Sequence, residues 1–433
     1  MRFDVVVLGG GLAGYTAAIA LLEKGLSCAL LSVGQSSLHF SSGSMDFLRA
    51  LPDESQVFDL EKGLHDLARQ DPGHPYSILG PEKTLELAKK AETAFASWGL
   101  EMLGSLSAGN HLRLSPFGKL LPTWLSSKDT VFIPADAEGR PEWPWLKIAL
   151  LTVKDFLDFN PEIVAAQLKA QGRATSCHMF TCPDLEILRQ NPSEFRSVNI
   201  ARVLDQESNR PFLTEAVKKA AQNADAVFMP ACLGFNRPQL AMELSKEAAK
   251  PIRLIPTLAP SMIGARLNNQ LQYQFLKNGG VLMSKDRVVD FNLVGDQDDS
   301  SGSSALTIER LHTENHGDIP IIAKDHVLAT GSFFSQGLLS DIDGVREAVF
   351  GLDLVNVPES RSDWALGEFF GSQPFARFGV KIDAQTRPFL KGRVLANLKA
   401  AGLVLGGFDP IRQGCGAGVA AVTALAAAEA ILS

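Results

Sequence analysis

The feature that most constrains this chain is its beginning: the apolar run at residues 3–8 leads directly into Gly9-x-Gly11-x-x-Gly14, and residues 12–24 continue apolar until Gly25. The pattern predicts a buried strand, a tight turn and a helix in succession. The first glycine allows the turn, the second lets backbone approach a pyrophosphate, and the third lets helix and strand close up. The amides of Leu12 and Ala13 then sit at a helix N-terminus, where free N–H groups and the positive dipole end favour phosphate. Residues 27–33 read as a second buried strand, so the succession is βαβ and the sheet is parallel.

A dinucleotide site of this kind ends its second strand in Asp or Glu, ~20 residues past the glycines, to bind ribose hydroxyls. Here that place reads Leu30, Leu31, Ser32, Val33, and the nearest later acid is Asp46. Either a FAD ribose is held by something weaker, such as Ser32 or Gln35, or the cofactor lacks the adenosine half and is FMN.

A second glycine-rich segment closes the chain: Gly406, Gly407, Phe408, Asp409, Pro410, then Gly414, Cys415, Gly416 and Gly418 before a helix from about Ala417. Backbone amides there reach a flavin carbonyl, the helix N-terminus stabilises negative charge on the reduced ring, and Asp409 is placed for the ribityl chain. The competing reading gives these glycines to tight helix packing. Thr330 and Gly331, ending an apolar strand at 326–329, pass near the flavin by the same reasoning, and Ser42 and Gly43 of the serine-rich loop complete the cofactor set.

A chain that opens its sheet at one end and returns to it at the other implies a discontinuous flavin domain. The expected fold is α/β, Rossmann-like, over residues 1–48 and 320–433, with residues 49–319 inserted as an α+β substrate or cap domain and partner-contact region. Within the insert, residues 224–230 and 253–256 read as strands and 240–249 and 265–277 as helices. Residues 403–405 read as a further strand, and 295–304 as a polar hairpin tip.

A formal charge of −7 and a pI near 5.7, with no run of Lys or Arg, remove the footprint of nucleic-acid or anionic-lipid binding. Cys28, Cys177, Cys182, Cys232 and Cys415 are scattered without Cys-x-x-Cys, against a disulfide framework, zinc or iron–sulfur ligation. The start lacks the features of a secretory signal, and the apolar stretch at 417–432 is shorter than the ~20 residues of a membrane span. A cytoplasmic protein is expected, with any membrane attachment peripheral or through a partner.

A planar guanidinium grips phosphate or carboxylate in two places, which singles out Arg196, Arg202, Arg266, Arg387 and Arg412 for an anionic substrate. Arg412 lies inside the presumed flavin loop and joins Arg266 as a catalytic candidate; Arg196 and Arg202 are substrate-binding candidates. For each, an ordinary salt bridge is the competing reading. His39 suits proton transfer, or simple hydrogen bonding within its loop. His312 and His316 stand four apart, but are expected to face solvent, and no metal site is predicted.

Taken together, MRFDVVVLGGGLAGYTAA, GQSSLHFSSGSMDFL, HPYSILGP, TWLSS, NPSEFRSVNIARVLD, MPACLGF, IPTLAPSMIGARLNNQLQ, ATGSFFSQGL and LGGFDPIRQGCGAGVAAV resemble the B subunit of bacterial anaerobic glycerol-3-phosphate dehydrogenase. The likeness runs from residue 1 to about 428 and weakens at about 128–150 and 285–316. It implies a flavoprotein associated with FMN. It also implies a soluble catalytic dimer of the A and B subunits, held at the cytoplasmic face of the inner membrane by an iron–sulfur C subunit. The reaction implied is oxidation of sn-glycerol 3-phosphate to dihydroxyacetone phosphate, with electrons passing to quinone and on to fumarate or nitrate. Three roles stay open for this chain: substrate oxidation at its own flavin, electron relay from the A subunit, or a scaffold with an empty nucleotide fold.

Overall fold

The computed structural model describes residues 1–295 and 305–433, so the expected hairpin tip lies, apart from Gly295, outside the described residues. Strand β1 (Arg2–Leu8), helix α1 (Leu12–Leu22) and strand β2 (Cys28–Ser32) form where the apolar runs predicted them. Residues 5–8 and 28–31 are buried, as strands covered on both faces require. With β3 (Val281–Ser284), β4 (Ile322–Leu328) and β5 (Leu398–Ala400) they make a five-stranded sheet in the order β3-β2-β1-β4-β5, parallel throughout.

The closing helix α2 (Gly416–Leu432) packs on α1, and its many buried alanines suit a close approach of the two backbones. The strand expected at 403–405 is instead a single 3₁₀ turn, Gly402–Val404. Gly402 takes φ +80°, which an extended strand does not accommodate, and its amide donates to Thr423 Oγ1. Pairing moves five residues upstream to β5.

Contacts divide the chain into two compact units, Met1–Ser37 with Asp46–Gly99 and Asn269–Ser433, and Leu38–Met45 with Leu100–Asn268. The bounds expected at 48 and 320 do not coincide with these. Asp46–Gly99 brings the helices Leu60–Gln70 and Pro81–Ser97 into the first unit, and Val281–Ser284 supplies its outer strand.

The second unit carries its own parallel sheet, ordered Ile252–Ile255, Ala226–Pro230, Lys147–Val153, Ala174–Phe180. Helices Pro161–Ala170, Arg210–Ala221 and Leu240–Ala248 alternate with these strands. Short antiparallel pairs such as His111–Leu114 with Leu120–Thr123 accompany them. The region read as α+β thus contains an alternating α/β core, because short buried strands reveal neither direction nor partner through periodicity. Among the described residues no helix is long and apolar enough to cross a membrane, and no cluster of metal-ligating side chains occurs.

Candidate functional site

In the first unit the chain leaves β1 at Gly9, whose φ of +118° a side chain rarely adopts; a Cβ there would lie 2.2 Å from the Ala329 carbonyl oxygen. At Gly14 it would lie 1.8 Å from the Gly9 oxygen, so helix and turn are in contact. Gly11 differs: nothing stands within 4 Å of an added Cβ. Gly11 is also the N-cap of α1, offers no side-chain cap, and has no acidic residue in the turn that follows. The leading amides of α1, including Leu12 and Ala13, therefore have no side-chain acceptor from this cap, and the space before them is open.

Ser32 closes β2 with its hydroxyl donated to the Gly34 carbonyl at 2.9 Å, so toward a ribose it can act only as an acceptor. Thr330 and Gly331 follow β4; Gly331 sits at φ +83° and the buried Thr330 Oγ1 has no partner.

The second glycine-rich segment is held from several sides. Asp409 Oδ1 accepts the amides of Ile411 (2.9 Å) and Arg412 (3.0 Å), closing the loop on itself. Gln413 Oε1 accepts the Asp409 amide at 2.8 Å, while Gln413 Nε2 is buried without a partner. Arg377 bridges the Gly407 carbonyl (2.5 Å) and Asp71 (2.7 Å). His74 accepts the Tyr76 amide at Nδ1, which puts its proton on Nε2, 3.8 Å from Cys415 Sγ. Burial, then the nearby Arg377 charge, lower the His74 imidazole to about 3, and burial pushes the Cys415 thiol well above its usual value.

A Cβ at Gly407 would meet the Gly73 oxygen at 2.2 Å, at Gly414 the Arg49 side chain at 2.6 Å, and at Gly418 the Tyr76 hydroxyl at 2.2 Å. These three glycines are accounted for by close packing within the protein. At Gly416 the nearest atoms are at an ordinary 3.4 Å. Arg412 turns to the exposed Glu54 at 2.6 Å and to the Phe370 carbonyl.

The second unit holds the remaining candidates. His39 accepts the Ser261 amide at its carbonyl, its ring meets no hydrogen-bond partner among the described residues, and burial holds its imidazole below the usual value. Ser42 Oγ accepts the Ser44 amide at 3.3 Å, and Gly43, at φ +74°, packs against Ile263. Arg266, only 16% exposed, donates twice to Asp129 (2.9 and 2.7 Å), to Ser127 Oγ and to the Gly234 carbonyl. Arg196 pairs with Asp158 at 2.5 Å; Arg202 is exposed, bonded to Asn199 and stacked over Phe235.

Thus His39, Gly43 and Arg266 meet at the start of helix Met262–Lys277, and the helix Ser197–Leu204, which carries Arg202 and is preceded by Arg196, reaches the same region: Ser197 Oγ donates to the Pro260 carbonyl, and Phe235 under Arg202 adjoins Gly234. Sequence reasoning missed Asp129, Arg266's buried partner, and the His111–Ser126 bond of 2.7 Å. Of these only Ser126 falls in a segment, TWLSS, that the family resemblance singles out. In the first unit, Arg387 pairs with Asp383, and His316 is bonded to the buried Asp286 at 2.8 Å rather than left to solvent.

The open space at Gly11 and the orphaned Thr330 Oγ1 and Gln413 Nε2 fit a bound flavin nucleotide, which brings phosphate to the one and polar ring or ribityl atoms to the others. Comparison with known proteins agrees. The FAD binding domain family matches residues 4–419. The B subunit of anaerobic glycerol-3-phosphate dehydrogenase from Yersinia pseudotuberculosis serotype I (strain IP32953) is 43% identical over 100% of this chain and 99% of its own. The protein of the same name from Pectobacterium carotovorum subsp. carotovorum (strain PC1) is 45% identical over the same shares. That from Glaesserella parasuis serovar 5 (strain SH0165) is 39% identical over 100% of both chains. The chain is therefore a flavoprotein of the FAD binding domain family and belongs, within it, to the family of the anaerobic glycerol-3-phosphate dehydrogenase B subunit.

Proposed function

We propose that this chain is the flavin-carrying subunit of a complex that oxidises sn-glycerol 3-phosphate to dihydroxyacetone phosphate and passes the electrons to membrane quinone, with fumarate or nitrate as final acceptor. Its partners are an iron–sulfur C subunit, which holds the complex at the cytoplasmic face of the inner membrane, and an A subunit. The observation that carries this reading is the likeness, over the full chain, to relatives named as that complex's B subunit.

FAD is supported by the complete glycine triplet, the open space at Gly11 and the family match. FMN is the second reading, favoured by Ser32 and Val33 where an acid would grip the adenosine ribose.

Bound flavin would supply the acceptor for two electrons. The N-terminus of α1 would hold its phosphate by backbone amides, and the Arg377, Asp71 and Asp409 contacts keep the second loop in one shape. His39 is neutral at pH 7 because burial disfavours its cation, so a ring nitrogen is available to accept a hydroxyl proton.

A relay role is the alternative. Its support is that Arg196, Arg266 and Arg412 each already pair with an acid of this chain, which leaves less free guanidinium charge for a phosphate ester.

The test is anaerobic addition of glycerol 3-phosphate to the purified, flavin-loaded chain, watching the visible absorption. Bleaching by the chain alone assigns the oxidation here. Bleaching only after the A subunit is added assigns the relay, and a chain that never takes up flavin removes both.

A further inference from the structure

We propose that Gln413 is a flavin-recognising side chain, its Nε2 donating to an acceptor on the isoalloxazine ring while its Oε1 holds the loop. The proposal rests on the reading that residues 406–418 receive a flavin.

Gln413 has most of its polar atoms engaged. Its backbone amide donates to Asp409 O (3.0 Å), and its backbone oxygen accepts from Arg49 (2.8 Å) and Ala50 (3.1 Å). The side-chain amide cannot be turned over, because the Asp409 N–H at 2.8 Å needs an oxygen and finds it in Oε1. That leaves Nε2, a two-proton donor, buried without a partner in a residue 3% exposed.

Leaving such a donor unpaired is costly, and native chains rarely tolerate it without a ligand or a water. The surrounding groups are committed elsewhere. Asp409 Oδ1 takes two amides of its own loop, Arg377 ties Gly407 to Asp71, and the His74 Nε2 proton faces Cys415. A flavin ring presents carbonyl oxygens and ring nitrogens along its pyrimidine edge, which are the acceptors an amide donor matches. A donor there also favours the electron-rich reduced ring, so Gln413 would set potential as well as affinity.

Gln413→Glu tests this, because the carboxylate keeps an oxygen for the Asp409 amide and removes the donor. The flavin-free variant should still fold, melting below the wild type because a carboxyl group replaces a neutral amide at a buried position. It should bind FAD and FMN, each titrated into apoprotein by fluorescence, roughly ten- to hundredfold more weakly. The midpoint potential of whatever flavin is bound should fall. Affinity and potential both equal to wild type would overturn the proposal. If the variant fails to fold, a crystal structure of flavin-loaded wild type decides: Nε2 within hydrogen-bond distance of a ring atom supports it, and a buried water there instead overturns it. Wild-type protein that takes up neither flavin overturns the underlying reading, and the proposal with it.

Discussion

The two parallel sheets of this chain treat the same kind of loop in opposite ways. After β1, the turn at Gly9–Gly14 leads into α1 with no side-chain acceptor at its cap and open space before Gly11. After strand Ala226–Pro230 in the second unit, the loop amides of Gly234 (2.7 Å), Asn236 (2.6 Å) and Arg237 (3.3 Å) all donate to one carboxylate, Asp205, itself 6% exposed. Parallel α/β architecture places amide-rich turns at the carboxyl ends of its strands. Such a turn is a phosphate site only where the chain does not bring its own anion to it. The first unit leaves the position open; the second fills it from within.

The largest effect should come from breaking the first turn. Gly9→Val forces a side chain into φ +118° and against the Ala329 carbonyl, and should cost upwards of about 3 kcal/mol in urea unfolding. Gly11→Asp should leave apoprotein stability within about 1 kcal/mol, since its Cβ enters open space, yet abolish flavin retention by putting a carboxylate where phosphate belongs. A Gly11→Asp protein that purifies with full flavin would break the contrast.

The complementary change is Asp205→Ala, which strips the internal anion from three amides and should destabilise by about 3 kcal/mol. Flavin content per folded chain should not change. Millimolar sulfate should raise the variant's melting temperature more than the wild type's, and equal shifts would mean that the emptied loop does not accept an anion.

A smaller effect is tied to pH and belongs to the first unit. His326, inside β4, and His74, beside the second glycine-rich segment, are held by burial at about 4 and about 3 against an ordinary 6.5. The folded chain therefore binds fewer protons than the unfolded one below pH 6.5. The stability they contribute is complete above that value and drains as pH falls toward 4 and then 3. His326 alone should account for about 2 kcal/mol between pH 7 and pH 5. Urea midpoints across that range should show the decline, and His326→Leu should roughly halve it, the rest belonging to His74; an unchanged slope would assign it to other groups. The smallest effect is expected at Arg412→Ala, which removes a pair with the exposed Glu54: about 0.5 kcal/mol or less, with flavin affinity unchanged.

Local elements were legible where a single stretch of chain decides its own structure. β1, α1 and β2 appear within two residues of the bounds that apolar periodicity predicted. The parallel sheet followed because a strand, a helix and a strand in close succession can join only by a crossover. Legibility stopped at pairings between distant residues. Nothing around Asp129 announces that it pairs with Arg266, 137 positions away, nor does the sequence near 205 show that its carboxylate fills the loop at 234–237.

What the sequence determined by itself is the family, the nucleotide turn and the class of fold, because the glycine spacing and the buried strands flanking it are local steric requirements. Only the tertiary structure decided which glycines serve packing and which leaves room for a ligand. It also decided which arginines are already neutralised, and that Gln413 rather than the segment's more conspicuous Asp409 keeps a buried polar group in reserve. Those are properties of the partners a side chain meets, and partners far apart in the chain are brought together only by packing.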